Sequence, residues 1–367
     1  MRICFFGNPN SVHSYRWAKY FANKGHDIFW ISPGVESNSD MRRIADVHVI
    51  KKVSIKVLRP LFYAIHLKRI LKEVSPDVFH VHQVWIGGLI GAFIGFQPYI
   101  ITAWGSDVLN AEKSWLKKPL VRFALNRADL VTCDAYHMRN AMLRMGVNSS
   151  KIQIICFGVE VDKFCPGERN KEMEKKLNID GFPVVISLRS FKPVYDVESL
   201  INAVPLVRND IPSVKFMIAG EGPLEGKLKN MTEFLGISES IRFVGSISHE
   251  ELPEYLRLSD VYVSTSLSDA GISASTAEAM ACAVAPVITD FGDNGKWVED
   301  GSNGFTIPLK SPKVLAERIV QLIRDKDKRQ RFGRLSREII QERNNWEKEM
   351  GKMERLYQKF AYECREK

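Results

Sequence analysis

Short apolar runs, rich in β-branched and aromatic residues, alternate with helical patterns from the start of the chain, and this alternation constrains the fold most strongly. In the first half it predicts strands at 3–6, 28–32, 47–50, 78–82, 99–103, 130–133 and 152–155. The first helix should begin after Asn10 or Ser11 and end at Gly25. Strands separated by helices need crossover connections, so we expect a mostly parallel sheet with helices on both faces.

The alternation breaks at about 163–182 and then restarts. The second half predicts strands at 184–187, 214–219, 241–244, 261–265, 287–289 and 305–307, and then charged helices from 312. We therefore expect two doubly wound, Rossmann-like domains over 1–165 and 166–345. A C-terminal helix over 346–367 should pack back on the first domain. Because α/β sheets bind ligands at the carboxyl ends of their strands, we expect the two domains to face an inter-domain cleft.

Composition narrows the class of protein. Of the 367 residues, 45% are hydrophobic and 26% are charged, which is typical of globular chains. No apolar run reaches the roughly 18 to 20 residues of a membrane span, and the apolar start at 3–6 is too short for a signal peptide. Six cysteines without a C-x-x-C pair suit reduced thiols and argue against a zinc site. We therefore expect a cytoplasmic protein.

The chain is basic, with 52 lysines and arginines against 43 acids. Residues 51–72 contain seven cations and no acid, interleaved with leucine, isoleucine and phenylalanine: Lys51, Lys52, Lys56, Arg59, Lys68, Arg69 and Lys72. This pattern is typical of a helix that lies on an anionic membrane, here the inner face. An ordinary packed helix with a solvated basic face explains it equally simply. We expect no nucleic-acid partner.

A loop of small residues over 266–273 enters a helix after the strand predicted at 261–265. Free backbone N–H groups and the positive helix end would bind a diphosphate there. The candidate donor-binding residues of this loop and first turn are Asp269, Ala270, Gly271, Ile272, Ser273 and Ser275. Glu278 follows within the helix, where its carboxylate could accept bonds from ribose hydroxyls. Alternatively, Ser275 and Glu278 form a capping box.

Two cations follow the strand predicted at 184–187. Arg189 comes directly after it and Lys192 lies three residues later in the same loop. Fixed cations at this edge would stabilise the charge that gathers on a leaving diphosphate, which makes both residues catalytic candidates. A solvent-exposed basic loop is the alternative interpretation.

The turn after the first strand contains Gly7, a further donor-binding candidate, but lacks the full Gly-x-Gly-x-x-Gly spacing. His13 and Arg16 lie one turn apart in the following helix and could face an acceptor, although each is also an ordinary surface residue.

Four further polar or aromatic residues lie on, or directly after, two strands that are consecutive in the sequence. His80 and His82 alternate on one strand and so face the same side, and the segment from Trp104 to Asp107 follows the next strand. Asp107 or a histidine could orient an acceptor hydroxyl. A buried, hydrogen-bonded histidine is the alternative. The Asp-x-Asp at 325–327 lies in a charged helical region and reads as solvated surface rather than a metal site.

In their order along the chain, these segments resemble the retaining glycosyltransferase family 4, whose members share the two-domain GT-B fold. The matching segments are 129–133, 157–164, 219–224, 243–245, 277–281, 299–304 and Trp346. Each motif is common by itself, and their collinear order is specific. The resemblance covers nearly the whole chain.

The resemblance implies a UDP- or GDP-sugar held mainly by the second domain. Arg189 would contact the diphosphate, Glu278 the ribose, and the segment 243–246, with Phe243, Val244 and Ser246, the base. In the mechanism usual for this family, the leaving phosphate oxygen takes the acceptor proton, so the anomeric configuration is retained and neither a metal nor another cofactor is needed.

The sequence departs from the family pattern at three places. Ala270 stands where the first glutamate of the E-x7-E pattern is expected, with Asp269 one position away. Lys192 precedes a proline rather than a glycine, and Trp104 stands where many members have a histidine.

The expected activity is sugar transfer to a glycan, lipid-linked or small-molecule acceptor, as in polysaccharide biosynthesis. A nucleotide-sugar epimerase of the same fold and a non-catalytic nucleotide-sugar-binding protein are the alternatives. An epimerase would need no acceptor, and a binding protein would explain Ala270 and Trp104.

Overall fold

A computed structural model describes residues 1–51, 54, 59–269 and 271–366. It divides into two compact units. Unit 1 consists of Met1–Phe157 with Glu347–Lys367, and unit 2 consists of Gly158–Trp346. The chain therefore enters the second unit somewhat before the boundary that the sequence placed at 165.

Unit 1 contains a parallel sheet in the order β3-β2-β1-β4-β5-β6-β7. Its strands are β1 Arg2–Phe6, β2 Asp27–Pro33, β3 Asp46–Ile50, β4 Val78–His82, β5 Tyr99–Thr102, β6 Leu130–Cys133 and β7 Ile152–Ile154. Each strand predicted for the first half is confirmed. Several strands are buried throughout because helices cover both faces, which explains why their sequences are continuously apolar rather than alternating.

The helices of unit 1 between these strands are α1 Val12–Asn23, α2 Ser39–Ile44, α3 Arg59–Val74, α4 Leu89–Ile94, α5 Ser106–Glu112, α6 Lys117–Arg127 and α7 Tyr136–Arg144. A π-helical turn at Val84–Gly88 and a 3₁₀ turn at Ser149–Lys151 complete the connections. Ser11 is the N-cap of α1, and Gly25 adopts a φ of 80° just after its end, as predicted.

Unit 2 repeats the architecture with a parallel sheet in the order β10-β9-β8-β11-β12-β13. Its strands are β8 Val184–Leu188, β9 Lys215–Ala219, β10 Ile241–Gly245, β11 Val261–Ser264, β12 Ala285–Thr289 and β13 Phe305–Ile307. Its helices are α8 Lys171–Lys176, α9 Val197–Asp210, α10 Glu225–Phe234, α11 Leu252–Arg257, α12 Ala274–Ala281, α13 Pro312–Arg324 and α14 Lys326–Arg343, with 3₁₀ turns at Pro193–Tyr195, Ser238–Ser240 and Asn294–Lys296.

The last helix, α15 (Trp346–Arg365), packs on unit 1 through polar contacts. The Tyr357 hydroxyl lies 2.5 Å from Nδ1 of the buried His80. Glu349 accepts a bond from the Cys156 N–H at 2.9 Å, and Glu354 lies 3.0 Å from His26. These contacts explain why residues beyond 346 belong to the first unit although the second unit precedes them in the chain.

The strand order reverses beside the first strand of each sheet. In unit 2, β8 lies between β9 and β11, so the loops that follow β8 and β11 leave the carboxyl edge side by side. Ligands of doubly wound sheets bind at such a reversal. The order therefore brings Arg189, which follows β8, next to the small-residue loop that follows β11.

Helix α3 contains residues 59–72 of the basic segment. Its packed face consists of Tyr63, Leu67, Leu71 and Val74, whereas the cations at 68, 69 and 72 are exposed. The exposed cations fit both interpretations of 51–72, and Lys52 and Lys56 lie outside the described residues. Of the helices described, none is both long enough and apolar enough to cross a membrane.

Candidate functional site

Two loops meet at the strand-order reversal of unit 2. One runs from 189 to 196 after β8, and the other runs from 265 to 273 after β11. The Leu267 N–H donates to the Val194 carbonyl at 2.8 Å, and the Thr265 hydroxyl donates to the carbonyl of Tyr195 at 3.0 Å. These bonds join the two segments that sequence analysis assigned to phosphate binding.

Arg189 is buried in this junction, with only 8% of its surface exposed. Its guanidinium donates to the Asp269 carboxylate at 2.6 Å and to the Ser266 hydroxyl at 3.2 Å. A longer contact of 3.5 Å reaches the Ser275 hydroxyl, and the Tyr195 ring stacks 4.3 Å from the guanidinium carbon. The exposed-loop interpretation of Arg189 is therefore wrong, because the side chain is buried and oriented from several sides.

Two glycines on a third loop allow that loop to pack closely against the backbone of the Arg189 loop. A Cβ at Gly220 would lie 2.4 Å from the Arg189 carbonyl oxygen, and one at Gly222 would lie 2.6 Å from that of Phe191. Both glycines also have positive φ angles, of 140° and 157°. The loop after β9 thus packs directly on the Arg189 loop, which only glycine at these positions permits.

The N-terminus of α12 presents a cluster of hydroxyls. Ser273 is the N-cap, and its Oγ accepts from the Thr276 N–H at 3.2 Å. Ser275 lies inside the helix, where its hydroxyl is 2.9 Å from the Tyr262 hydroxyl. The alternative interpretation of Ser275 and Glu278 as a capping box is therefore excluded, since the cap is two residues earlier and Glu278 contacts His249 instead.

Glu278 is only 8% exposed and lies beside an imidazole. Nε2 of His249 is 3.2 Å from its Oε1. On the other side of the ring, Nζ of Lys163 lies 3.0 Å from Nδ1 and 2.9 Å from Oε2 of Glu250. Lys163, His249 and the buried Glu278 thus form a chain of contacts, and Glu278 is the candidate ribose-binding residue at its end.

The other donor-side candidates differ in exposure. Lys192 and Ser246 are exposed, Phe243, Val244, Ile272 and Ser273 are half-buried, Gly271 is buried, and Ala270 lies outside the described residues. The Phe243 ring packs against Phe191 at 6.0 Å, so it contributes to the core of unit 2. Of these candidates, Ser273 lies in the same cluster as Arg189, Asp269 and Ser275.

The acceptor-side candidates of unit 1 form an aromatic cluster. The His13 ring stacks on Phe157 at 4.5 Å and meets Trp104 edge-on at 5.7 Å. All three rings are half-buried, so they form a partly open aromatic surface. Burial lowers the pKa of His13, with a smaller contribution from Arg16, which is itself half-buried.

His82 lies deeper, among the rings of Phe5, Trp17, Trp30 and Trp104 at 5.2 to 5.6 Å. Neither ring nitrogen bonds to a described residue. Burial lowers its pKa to about 3, so the ring is neutral at physiological pH. It therefore cannot act as a cation towards an acceptor.

His80 and Gly7 both lie in tightly packed parts of unit 1. His80 is fully buried between the Tyr357 hydroxyl and the Thr102 hydroxyl, the latter at 2.7 Å, which confirms the buried, bonded alternative for this histidine. A Cβ at Gly7 would approach Cβ of His82 to 3.2 Å, so the turn after β1 packs tightly on β4.

Asp107 organises the loop that carries Trp104. Its carboxylate accepts from the N–H groups of Val84 at 2.8 Å, Trp104 at 3.1 Å and Val108 at 3.1 Å. Burial raises the pKa of Asp107, and these backbone donors oppose that effect. The carboxylate thus positions Trp104 through its own backbone rather than offering free acceptor sites.

Sequence reasoning missed His249, Lys163, Tyr195 and the role of Phe157 as a stacking partner. His249 lies a few residues beyond the carboxyl end of β10, and this position was a signal that could have pointed to it. Its pairing with Glu278 depends on how the loop folds across α12, which no local pattern encodes.

Among the described side chains, no group of three or more histidine, cysteine or acidic residues lies close enough to hold a metal ion. Asp325, from the Asp-x-Asp segment, is exposed and accepts from the Lys328 N–H at 2.9 Å as the cap of α14.

Comparison with known proteins identifies both units. The family model described as "Glycosyl transferases group 1" matches residues 168–339, within unit 2, and "Glycosyl transferase 4-like" matches residues 2–135, within unit 1. Both matches agree with the order of motifs in the sequence.

Two sequence relatives align over most of the chain. The GDP-mannose-dependent alpha-(1-6)-phosphatidylinositol monomannoside mannosyltransferase of Mycobacterium tuberculosis is 22% identical over 329 residues, covering 86% of this chain and 84% of the relative. The N-acetyl-alpha-D-glucosaminyl L-malate synthase of Bacillus anthracis is 22% identical, covering 92% and 91%.

Among solved structures, the UDP complex of HepE from Anabaena matches with a TM-score of 0.83 at 18% identity, covering 98% of this chain and 100% of that one. Sucrose-phosphate synthase from Thermosynechococcus elongatus matches with a TM-score of 0.78 at 18% identity, covering 98% and 99%. The chain has the GT-B fold of two Rossmann-like domains and belongs to glycosyltransferase family 4.

Proposed function

We propose that this glycosyltransferase moves a sugar from a UDP- or GDP-sugar to an acceptor hydroxyl with retention of the anomeric configuration. The observation that carries the proposal is the junction of Arg189 with the hydroxyl-rich N-terminus of α12. It combines a fixed guanidinium, Ser273 and Ser275 hydroxyls and the positive end of a helix, which together favour a diphosphate.

Arg189 would stabilise the leaving diphosphate. Its present partner is the carboxylate of Asp269, which an incoming diphosphate would have to displace or share. Because the guanidinium is also held by Ser266 and Tyr195, it would keep its position during that exchange. A preorganised cation needs little rearrangement when charge develops on the leaving group.

Glu278 would accept bonds from the ribose hydroxyls. The absence of a capping box removes the competing explanation for this buried glutamate. The names of the relatives support a nucleotide-sugar donor, since one uses GDP-mannose and one structural neighbour contains UDP.

Retention would follow the substrate-assisted course. As the bond from the anomeric carbon to the leaving phosphate breaks, the phosphate oxygen takes the proton of the acceptor hydroxyl on the same face. The new glycosidic bond forms on that face. No protein base is required in this course, so a tryptophan at 104 is compatible with activity. The protein contributes orientation and charge stabilisation.

The acceptor would bind to unit 1. The partly open rings of His13, Trp104 and Phe157 offer apolar faces on which a sugar ring can pack, and Asp107 holds Trp104 in place. A glycan, a lipid-linked sugar or a small glycosylated molecule would each present such a ring.

Incubation with a panel of UDP- and GDP-sugars, with and without acceptors, tests the proposal. A transferase releases nucleoside diphosphate faster when the correct acceptor is added and forms a new glycoside. An epimerase would rearrange the donor sugar without any acceptor, and a binding protein would leave every donor intact. Either of the last two results would overturn the proposed activity.

A further inference from the structure

An exposed apolar row covers the outer side of α6 and the segment before it. Trp115 is 83% exposed, which is exceptional for a tryptophan, and Phe93 of α4 is 73% exposed with its ring 5.3 Å from that of Phe123. We call this row the α6 surface. Its members are Phe93, Trp115, Leu116, Leu120 and Phe123.

The α6 surface is additional to the packed face of the same helix. Val121, Ala124 and Leu125 already bury the inner side of α6 against unit 1. A surface helix needs one apolar face for folding, so a second apolar row on the solvent side is unexplained by the fold.

Cations border the α6 surface without any acid. Residues 113–127 contain five cations and neither aspartate nor glutamate. In the described part of the chain, none of the five lies within ion-pair distance of a carboxylate. The preceding Glu112 pairs with Arg144 and attracts Lys118 only at longer range. The five cations are Lys113, Lys117, Lys118, Arg122 and Arg127.

A groove of about 720 Å³ runs beside this row. Trp115, Phe123 and Met145 supply apolar walls, while the cations at 118, 122 and 127 also line it. A groove with apolar walls and several cations fits a ligand that has an anionic head and an apolar body.

We propose that the α6 surface binds a bilayer containing anionic phospholipids. The cations would hold lipid phosphates, and the Trp115, Phe123 and Phe93 rings would enter the boundary between headgroups and acyl chains. Charge complementarity favours this occupant, because a run of five cations with no acid over 113–127 matches the negative surface potential of a bilayer that contains anionic lipids.

This location differs from the 51–72 segment predicted from composition. Helix α4 packs against both α3 and α6, so the exposed cations of α3 lie on a neighbouring helix and can add to the attraction. The aromatic side chains that would enter the lipid belong to α4 and to the α6 region.

Vesicle co-sedimentation of the full chain tests the proposal. Wild type should bind phosphatidylcholine vesicles that contain phosphatidylglycerol much more tightly than phosphatidylcholine alone, and salt should weaken the binding. Changing Lys118, Arg122 and Arg127 together to Gln should reduce the affinity on the order of a hundredfold, at about fivefold per cation. The double change Trp115→Ala and Phe123→Ala should also weaken it.

Two control variants locate the contact. Phe234→Ala removes a ring that is 91% exposed on unit 2 and should leave vesicle binding unchanged. Lys68, Arg69 and Lys72 changed together to Gln should weaken binding less than the α6 triple variant. Thermal melting of each variant would show that it remains folded.

Brominated phosphatidylcholine in the anionic vesicles provides a direct readout of insertion. It should quench tryptophan fluorescence in wild type and much less in Trp115→Phe. Equally weak binding to both vesicle types, or quenching that Trp115→Phe does not change, would overturn the proposal. Concentration-dependent dimers that the Trp115 and Phe123 changes abolish would instead assign the surface to a second copy of the chain.

A second inference rests on the independent contacts of His249. Because the ammonium of Lys163 can only donate, Nδ1 of His249 must accept from it, which leaves the ring proton on Nε2. That proton points to Oε1 of Glu278 at 3.2 Å. Lys163 therefore fixes the tautomer that donates to the carboxylate.

We infer that His249 is a positioning residue for Glu278 in ribose recognition, an inference that rests on the proposed function. The bond restrains one carboxylate oxygen and so orients the group towards a diol. A carboxylate that already holds its geometry loses less entropy when it binds two hydroxyls.

Binding of UDP or GDP, compared with the matching 2′-deoxynucleotide, tests this role. Wild type should prefer the ribonucleotide, Glu278→Ala should lose that preference, and His249→Phe should lose it by on the order of tenfold. His249→Gln should keep most of it, because its amide can accept from Lys163 and donate to Glu278. His66→Gln, in unit 1, is the control.

The outcomes distinguish the positioning role of His249 from the ribose contact of Glu278. If Glu278→Ala loses the ribose preference and His249→Phe keeps it, the positioning role is wrong and the proposed donor site stands. If Glu278→Ala keeps the preference as well, the ribose contact itself is wrong.

Discussion

The contacts of Arg189 indicate that substituting this residue should affect folding as well as turnover. The sequence placed it at the end of a buried strand, which indicated its location but not its partner. Asp269 lies 2.6 Å away, and both side chains are largely buried. Removing the guanidinium would leave a buried carboxylate without its ion-pair partner, so alanine should weaken folding as well as turnover.

Arg189→Lys is therefore the sharper variant. It keeps a cation beside Asp269 but loses the planar fork that contacts several oxygens. We expect turnover to fall by about a hundredfold or more, since comparable charge-stabilising contacts contribute about 2.7 to 4 kcal/mol to lowering a barrier. Steady-state rates with a validated donor measure this effect, and Arg334→Lys, at an exposed arginine of α14, is the control. A rate within a few-fold of wild type would remove Arg189 from the reaction.

The buried histidine His82 should make unit 1 sensitive to acid. Its pKa is about 3 in the folded chain against an ordinary 6.5, so between these values the unfolded chain binds a proton that the folded chain does not. The free energy of unfolding should therefore fall as pH falls below about 6.5, by up to about 1.4 kcal/mol per pH unit from this residue. His80 acts in the same direction.

Urea unfolding at several pH values between 7 and 4 measures this dependence, with the pH chosen inside that window. His82→Phe, which keeps an aromatic ring among aromatic neighbours, should show a shallower loss of stability with falling pH. Parallel curves for the variant and wild type would show that His82 does not carry the dependence.

At the residue scale, the sequence could predict where a side chain lies when its position in a strand or helix fixes that location, but it could not predict contacts between loops. The locations of Arg189 and Glu278 could be predicted because a strand end and a helix start fix where they lie. His249 and Asp269 acquire their partners only when separate loops fold over one another. His80 and His82 were predicted to share one side of a strand, but only the structure shows that one is fully bonded and the other is not.

At the scale of the element, α12 shows how tertiary contacts choose between two local patterns. Ser273 and Ser275 both offer a plausible N-cap. The hydroxyl of Tyr262 contacts Ser275 at 2.9 Å, and Ser273 caps the helix through the Thr276 N–H. The sequence therefore predicted the helix, and the structure decides between the two interpretations of its first turn in favour of a cap at Ser273.

Ser273→Ala should lower the free energy of unfolding of unit 2 by about 1 kcal/mol, the usual value of a lost N-cap. Glu278→Gln should cost less, because Glu278 belongs to no capping box. Chemical denaturation of both variants distinguishes the two caps. A larger loss for Glu278→Gln than for Ser273→Ala would restore the capping box.

At the scale of the whole molecule, the alternation of strands and helices predicted the parallel sheets and their strands. The alternation could not predict the strand order, because pairing joins segments that are far apart in the chain, such as β1 with β4 and β8 with β11. The order matters for the proposed donor site, since the reversal beside β8 brings the Arg189 loop to the start of α12. The Tyr357 contact with His80 likewise could not be read from either segment alone.

Nucleotide binding by the intact chain is the measurement that tests the donor site most directly. At a concentration of about a hundred times Kd, a ligand that binds only the folded state adds about 2.7 kcal/mol of stability. In a thermal-shift titration, a nucleoside diphosphate or its sugar conjugate should raise Tm with concentration, while the free nucleoside and inorganic phosphate should raise it far less. If no UDP, GDP or nucleotide-sugar raises Tm more than inorganic phosphate does, the proposed donor site is wrong.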